Sequence, residues 1–115
     1  MDKHTIGNQG EEIAAAYLKT HHFRILARNW RKRFGEIDII AEKQGVTYFV
    51  EVKSAQDWQY ARPGDKVNAR KKKQIAKAAL AWFMEIGKET MSTLLVAEVN
   101  LQTREVYLTE EFLLS

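Results

Sequence analysis

The chain has 115 residues and no cysteine, which excludes disulfide scaffolds, thiolate zinc sites and cysteine nucleophiles. Its 45% hydrophobic and 29% charged residues are typical of one soluble globular domain, which we expect to span residues 1–115. A net charge of +3 allows a nucleic-acid partner without requiring one. No apolar run is long enough for a signal peptide or a membrane span, so we expect a cytoplasmic protein that does not bind membranes.

The periodicity of apolar residues predicts two helices and five strands, an order that indicates an α/β sandwich around a mixed sheet. In chain order the predicted elements are helix 8–21, strands 22–28, 35–41 and 46–53, a loop over 54–66, helix 67–88, and strands 92–100 and 105–108. Gly87 is expected to end the second helix, and Thr109 to cap a last short turn. One apolar stripe on the second helix is predicted to comprise Ile75, Ala78, Ala79, Trp82 and Ile86.

The second and third strands form a predicted hairpin around Gln44-Gly45. A two-residue turn at these positions sets a register that places Asp38 opposite Glu51, and Glu36 opposite Lys53. Strict alternation would put Ile37, Ile39 and Ala41 on one face of the second strand, and Glu36, Asp38 and Ile40 on the other.

Directly opposed carboxylates at Asp38 and Glu51 would have Cβ atoms roughly 4.5–5.5 Å apart and would repel each other. A hard divalent cation such as Mg²⁺ would relieve that repulsion. Lys53 lies on the same face as Glu51, where it could contact a phosphate or an attacking water. Alternatively, both acids simply face water, although acidic residues are depleted in strands and these two strands are apolar enough to be central.

Asp38 followed by Glu51-Val52-Lys53 resembles the PD-(D/E)xK nuclease motif. The chain is more broadly similar to the YraN family of small bacterial predicted endonucleases, over roughly residues 7 to 100. Two positions depart from that family, with Ser54-Ala55 in place of a Thr-Arg-like pair and Thr93-Leu94-Leu95 in place of Arg-Phe-Asp. The matching segments are Gly7–Glu11, Leu26–Arg31, Gly35–Ile40, Phe49–Lys53, and Val67 with Lys71-Lys72-Lys73.

The resemblance implies a restriction-endonuclease-like αβββαβ core with a mixed central sheet flanked by helices. It also implies Asp38 and Glu51 as ligands of Mg²⁺ or Mn²⁺, with Lys53 beside them and Glu11 as a further acid of the site. Glu11 could instead be an acid in the first turn of a helix, stabilised by the macrodipole. The implied substrate is a nucleic-acid phosphodiester, for instance in branched or recombination-related DNA, and the dimeric junction resolvases of the same fold suggest a homodimer.

Two basic clusters flank the acidic hairpin and are predicted to contact nucleic acid, with DNA favoured over RNA. Four cations in the first turn of the second helix oppose its macrodipole by about 0.3–1 kcal/mol each, and a phosphate backbone would relieve this. The alternative is a solvated helix face. Trp58 and Tyr60 in the predicted loop could stack on unpaired bases or fold back on the core. The basic clusters comprise Arg31, Lys32 and Arg33, and then Arg70, Lys71, Lys72 and Lys73.

Three functions therefore remain open from the sequence. The first is a Mg²⁺-dependent endonuclease, in which the metal activates water and Lys53 stabilises the charge that develops in the transition state. The second is a non-catalytic nucleic-acid-binding module that retains a nuclease fold. The third is a protein-interaction domain that does not contact nucleic acid.

Overall fold

The computed structural model describes residues 3–56 and 67–111, with side chains from residue 8 onward in the first segment. All seven predicted elements lie within these ranges, while Trp58 and Tyr60 lie outside them. No helix in the described ranges is long and apolar enough to cross a membrane. The elements are α1 (Lys3–Thr20), β1 (Arg24–Lys32), β2 (Gly35–Lys43), β3 (Val46–Ala55), α2 (Ala69–Ile86), β4 (Met91–Asn100) and β5 (Val106–Glu111).

The five strands form one mixed sheet in the order β1-β2-β3-β4-β5. Only β3 and β4 are parallel, and α2 supplies the crossover that a parallel pair needs. Ile39 and Val50 pack in one core cluster with residues of α1, whereas Ile40 and Phe49 pack in a second cluster with residues of α2. Since neighbouring residues of a strand point to opposite faces, the helices cover the two sides of the sheet. The expected αβββαβ core is confirmed, with β5 added at the edge.

The turn between β2 and β3 has the predicted two-residue form. Gln44 and Gly45 both adopt positive φ angles, 52° and 81°, as a type I′ turn requires. The register runs from Lys43 opposite Val46 to Ile39 opposite Val50, as the turn predicts. β2 and β3 are also the second and third strands of the sheet, so their central position is confirmed.

The alternation of β2 reverses at Asp38, which the sequence pattern did not indicate. Ile37 belongs to the core cluster on the α2 side and Ile39 to the cluster on the α1 side, so the prediction that they share a face is wrong. Asn29 of β1 lies between the Arg28–Ile39 and Trp30–Ile37 pairs and has a φ of 51°. A residue with a left-handed backbone conformation redirects its strand in the way that a bulge does, and asparagine adopts that conformation more readily than most residues.

The helix α2 begins at an asparagine cap and ends at the predicted glycine. The side chain of Asn68 accepts a hydrogen bond from the Lys71 N–H at 2.8 Å, and Gly87 terminates the helix with a φ of 70°. The predicted stripe is wrong at its end, because Ile86 is 45% exposed while Phe83 is buried against Phe49. The buried residues of the helix are Ile75, Ala78, Ala79 and Phe83, and Trp82 packs against them partly buried, so Phe83 takes the place predicted for Ile86.

The final strand extends further than predicted. Thr109 lies within β5 opposite Val96, and the pairing with β4 continues to Glu111. The prediction that Thr109 caps a last short turn is therefore wrong. The backbone N–H and C=O groups of this segment form hydrogen bonds with the buried strand β4 instead.

Candidate metal centre at the open end of the β2–β3 hairpin

The described ladder between β2 and β3 ends at Ile39 and Val50. Beyond this point, Oδ2 of Asp38 accepts a hydrogen bond from the Val52 N–H at 2.8 Å. In a continued ladder that N–H would donate to a backbone carbonyl of β2, so the Asp38 side chain has replaced the strand as the partner. The expected directly opposed pairs, Asp38 with Glu51 and Glu36 with Lys53, are both absent from the described ladder. Glu36 instead contacts Arg31 of β1 at 3.3 Å.

Glu51 lies directly before Val52, on the face of the sheet that α2 covers. Its side chain is only 15% exposed, and the charge of the half-buried Asp38 acts on it. The alternative that both acids simply face water is therefore wrong. The Nζ atom of Lys71, in the first turn of α2, lies 3.6 Å from Oε1 of Glu51.

Both carboxylates are harder to ionise than usual. Burial raises the pKa of Asp38, although the hydrogen bond from the Val52 N–H opposes the rise. Burial and then repulsion from Asp38 raise the pKa of Glu51 to about 7, and the cations of Lys71 and Lys53 oppose this only in part. Asp38 is thus close enough to disfavour the charge of Glu51, and the neighbouring lysines do not fully compensate.

Lys53 lies at this same end of β3. It follows Glu51 by two residues, so it shares the α2 face, and it is half-buried. Its positive charge acts on the Glu51 carboxylate. The structure therefore brings Asp38, Glu51 and Lys53 together.

Glu11 approaches from the opposite side of the sheet. Because α1 begins at Lys3, Glu11 lies well beyond the first turn, and the alternative that it is a first-turn acid stabilised by the macrodipole is wrong. Burial and then repulsion from Asp38 raise the pKa of Glu11, while a hydrogen bond with the side chain of Asn29 and the charge of Arg28 lower it. The charge of Asp38 thus acts on both Glu11 of α1 and Glu51 of β3, which approach it from opposite sides of the sheet.

The preceding residue of α1 explains how the helix comes so close. A Cβ atom at Gly10 would overlap the hydroxyl group of Ser54 on β3, so only glycine permits this approach. The Ser54 hydroxyl is buried and has no hydrogen-bond partner within the described structure. Gly10 therefore allows α1 to bring Glu11 towards the end of the hairpin. Gly10 itself lies against Ser54, which belongs to one of the two positions that depart from the family pattern.

The donor set suits a hard cation that keeps most of its water ligands. No three histidine, cysteine, aspartate or glutamate side chains within residues 3–56 and 67–111 lie close enough together to hold a metal. Mg²⁺ does not need such a cage, since it is commonly bound through one or two carboxylates with waters completing its shell. Asp38 and Glu51 fit that requirement, whereas a structural zinc site takes four protein ligands.

Most of the predicted nucleic-acid contacts have acidic partners within the protein, which the sequence did not reveal. Arg31 pairs with the residue directly opposite it on the neighbouring strand, whereas the partners of Lys32, Lys71 and Lys72 lie on elements distant in sequence, where no local spacing could have identified them. Arg33, Arg70 and Lys73 are exposed on the surface. The ion pairs are Arg31–Glu36 at 3.3 Å, Lys32–Glu85 at 2.9 Å, Lys71–Glu51 at 3.6 Å and Lys72–Glu111 at 3.0 Å.

The sequence did not predict the contacts that Asn29 and Lys71 make with the acids of the site. Asn29 contacts Glu11 and adopts the positive φ angle that reverses the strand. Lys71 contacts Glu51, whereas the sequence indicated only a nucleic-acid contact. The tolerance of asparagine for the left-handed region is the one local signal that could have pointed to Asn29.

This αβββαβ core, with two carboxylates and a lysine at the open end of its hairpin, defines a restriction-endonuclease-like α/β protein. The model of the family described as "Uncharacterised protein family UPF0102" matches residues 10–107. The chain therefore belongs to UPF0102, the YraN family.

Relatives with the same family name occur in several bacteria. A UPF0102 protein of Chlorobium phaeobacteroides is 44% identical over 88 residues, which are 76% of this chain and 69% of the relative. One from Symbiobacterium thermophilum is 43% identical over 84 residues, 73% of this chain and 71% of the relative. One from Geobacter metallireducens is 45% identical over 79 residues, 69% of this chain and 65% of the relative. These names state a family and no activity.

Proposed function

We propose that the protein is a Mg²⁺- or Mn²⁺-dependent endonuclease that hydrolyses nucleic-acid phosphodiesters. The observation that supports this most directly is the pair of carboxylates at the end of the hairpin ladder. Asp38 and Glu51 are held close together, their pKa values are raised first by burial, and Lys53 lies beside them. Such a pair destabilises a protein unless a cation binds there, and the site chemistry is that of a hard-metal centre.

In this proposal each residue has a separate role. Asp38 and Glu51 would hold the metal, which would supply Lewis-acid polarisation of the phosphate and activation of water. The ammonium group of Lys53 stabilises the negative charge that develops on the phosphate oxygens. Glu11, which approaches Asp38 from the α1 side, would accept a proton from the attacking water.

The proposed substrate is DNA, including branched or recombination-related forms. Arg33, Arg70 and Lys73 are exposed and would contact phosphates, while the four ion-paired basic residues would do so only after leaving their acidic partners. A cytoplasmic location and assembly as a homodimer are parts of the same proposal.

Cleavage assays test the catalytic part. Wild type is incubated with Mg²⁺ or Mn²⁺ and with plasmid, single-stranded, flap and four-way-junction DNA, and with RNA. We expect cleavage that Asp38→Asn and Glu51→Gln abolish. The matched control is Glu42→Gln, which removes another β2 carboxylate that is ion-paired to Arg24 at 2.8 Å. Equal cleavage by wild type and the two site variants would rule the proposal out.

A non-catalytic nucleic-acid-binding module is the second candidate. It is favoured by the contact of Lys71 with Glu51, which supplies a cation to the site from within the chain. It predicts salt-sensitive binding that survives Asp38→Asn and Glu51→Gln. Titration calorimetry with Mn²⁺ separates the two candidates, because this one predicts no binding below millimolar metal.

A further inference from the structure

Lys71 occupies an unusual position between the proposed metal ligands and the protein surface. It lies in the first turn of α2, and its Nζ atom is 3.6 Å from Oε1 of Glu51. The same cation opposes the burial-driven rise in the pKa of Asp38. One ammonium group therefore acts on both carboxylates that a metal ion would bind.

The contact between Lys71 and Glu51 is a loose one. Hydrogen bonds between ammonium and carboxylate groups are usually about 2.7–2.9 Å long. The contacts of Lys32 with Glu85 and of Lys72 with Glu111 are 2.9 and 3.0 Å long, and both are shorter than that of Lys71. The Lys71 side chain is also 38% exposed, so its head group can move into solvent on a flexible stem.

We propose that Lys71 is an internal counterion of the metal site, which the metal displaces and which then binds a phosphate of the nucleic acid. This inference rests on the proposed function and adds a coupling between its two ligands. A divalent cation held by two carboxylates outcompetes one monovalent ammonium group at 3.6 Å. Because binding free energies are reciprocal, a phosphate that holds Lys71 away from Glu51 also favours metal binding.

The surroundings of Lys71 suit a phosphate. The released ammonium group belongs to the first turn of α2, and a helix N-terminus favours anions. Arg70 and Lys73 are exposed beside it and add positive charge. Lys72 does not have the same freedom, since its side chain is 24% exposed and contacts Glu111, which is 11% exposed. Lys72 therefore stays paired with Glu111 of β5.

The first experiment measures metal binding without nucleic acid. Mn²⁺ is titrated by calorimetry into wild type, Lys71→Met and Lys73→Met, after thermal melts have shown that all three are folded. We expect Lys71→Met to bind Mn²⁺ roughly ten-fold tighter, because a competing cation has been removed from the site. Lys73→Met removes an exposed charge from the same helix, where water and salt screen it, and should change the affinity by less than about two-fold. Lys71→Arg keeps the cation and should behave as wild type does.

The outcomes distinguish this inference from the proposed function. Equal Mn²⁺ affinities of wild type and Lys71→Met would overturn the counterion role and leave the nuclease proposal standing. No Mn²⁺ binding by any of the proteins would overturn both.

The second experiment measures nucleic-acid binding with and without metal. Fluorescence anisotropy follows a labelled DNA duplex and a labelled RNA duplex, in Ca²⁺ or in EDTA, with gels to check that the probes stay intact. We expect Lys71→Met to weaken binding by roughly ten-fold in Ca²⁺ and by less than about two-fold in EDTA, where Lys71 stays with Glu51. Lys73→Met should weaken binding by the same factor in both conditions. A loss for Lys71→Met that does not depend on metal would overturn the exchange, and so would a lack of binding to either duplex.

Discussion

The substitution Glu51→Gln should stabilise the protein, and increasingly so as the pH rises. Burial and then repulsion from Asp38 raise the pKa of Glu51 from 4.5 to about 7. Each pKa unit corresponds to about 1.4 kcal/mol, so the charged carboxylate costs the folded chain about 3 kcal/mol relative to the unfolded chain. The Glu51 side chain is only 15% exposed, which leaves little solvent screening to reduce this figure.

The direction of the pH dependence follows from the raised pKa. Between pH 4.5 and about 7 the folded chain binds more protons at Glu51 than the unfolded chain does. The free energy of unfolding of wild type therefore falls as the pH rises through this range. Glutamine does not ionise, so the variant lacks this fall. The free energy of unfolding of Glu51→Gln, relative to that of wild type, should therefore increase by about 2–3 kcal/mol between pH 5 and pH 8.

Urea unfolding followed by circular dichroism at several pH values measures this difference. Glu42→Gln is the control, because the hydrogen bond from Arg24 lowers the pKa of Glu42. A carboxylate with a lowered pKa stabilises the folded chain above its usual pKa, and this stabilisation is lost as the pH falls. Glu42→Gln should therefore not become more stable than wild type at high pH. Parallel stability curves for wild type and Glu51→Gln would refute the reasoning. Mg²⁺ at pH 8 should stabilise wild type and not the variant.

Three further substitutions test the packing that positions the site, each by its effect on urea or thermal unfolding. Gly10→Ala should destabilise the protein by about 1–3 kcal/mol because its Cβ overlaps the Ser54 hydroxyl, and Ser54→Gly should restore part of the loss; a neutral Gly10→Ala would contradict the close approach. Phe83→Ala should cost about 3–5 kcal/mol because Phe83 is buried against Phe49, and a cost below 1 kcal/mol would place it outside the core. Asn68→Ala should cost about 1 kcal/mol by removing the cap of α2, whereas Asn68→Asp should retain most of the stability.

Much of the candidate site could be predicted because it depends on local rules. The two positive φ angles at Gln44 and Gly45 select a tight hairpin, and that turn sets the register of both strands. That register continues to Ile39 and Val50, which places the acids of β2 and β3 just beyond it at the same end of the hairpin. Strand alternation likewise places Lys53 on the same face as Glu51. The β2 alternation failed only at Asp38, where a distortion of the neighbouring strand at Asn29 intervenes.

The sequence by itself thus determined the order of elements and the hairpin with its register as far as Ile39 and Val50, because turn type and periodicity are properties of neighbouring residues. The tertiary structure decided that Glu11 enters from α1 and that Lys71 of α2 faces Glu51. It also decided that Lys32, Lys71 and Lys72 form ion pairs with acids from elements distant in sequence. These features arise only when the helices pack on the sheet, because burial then raises the pKa values of the acids and brings together charges that lie far apart in the chain.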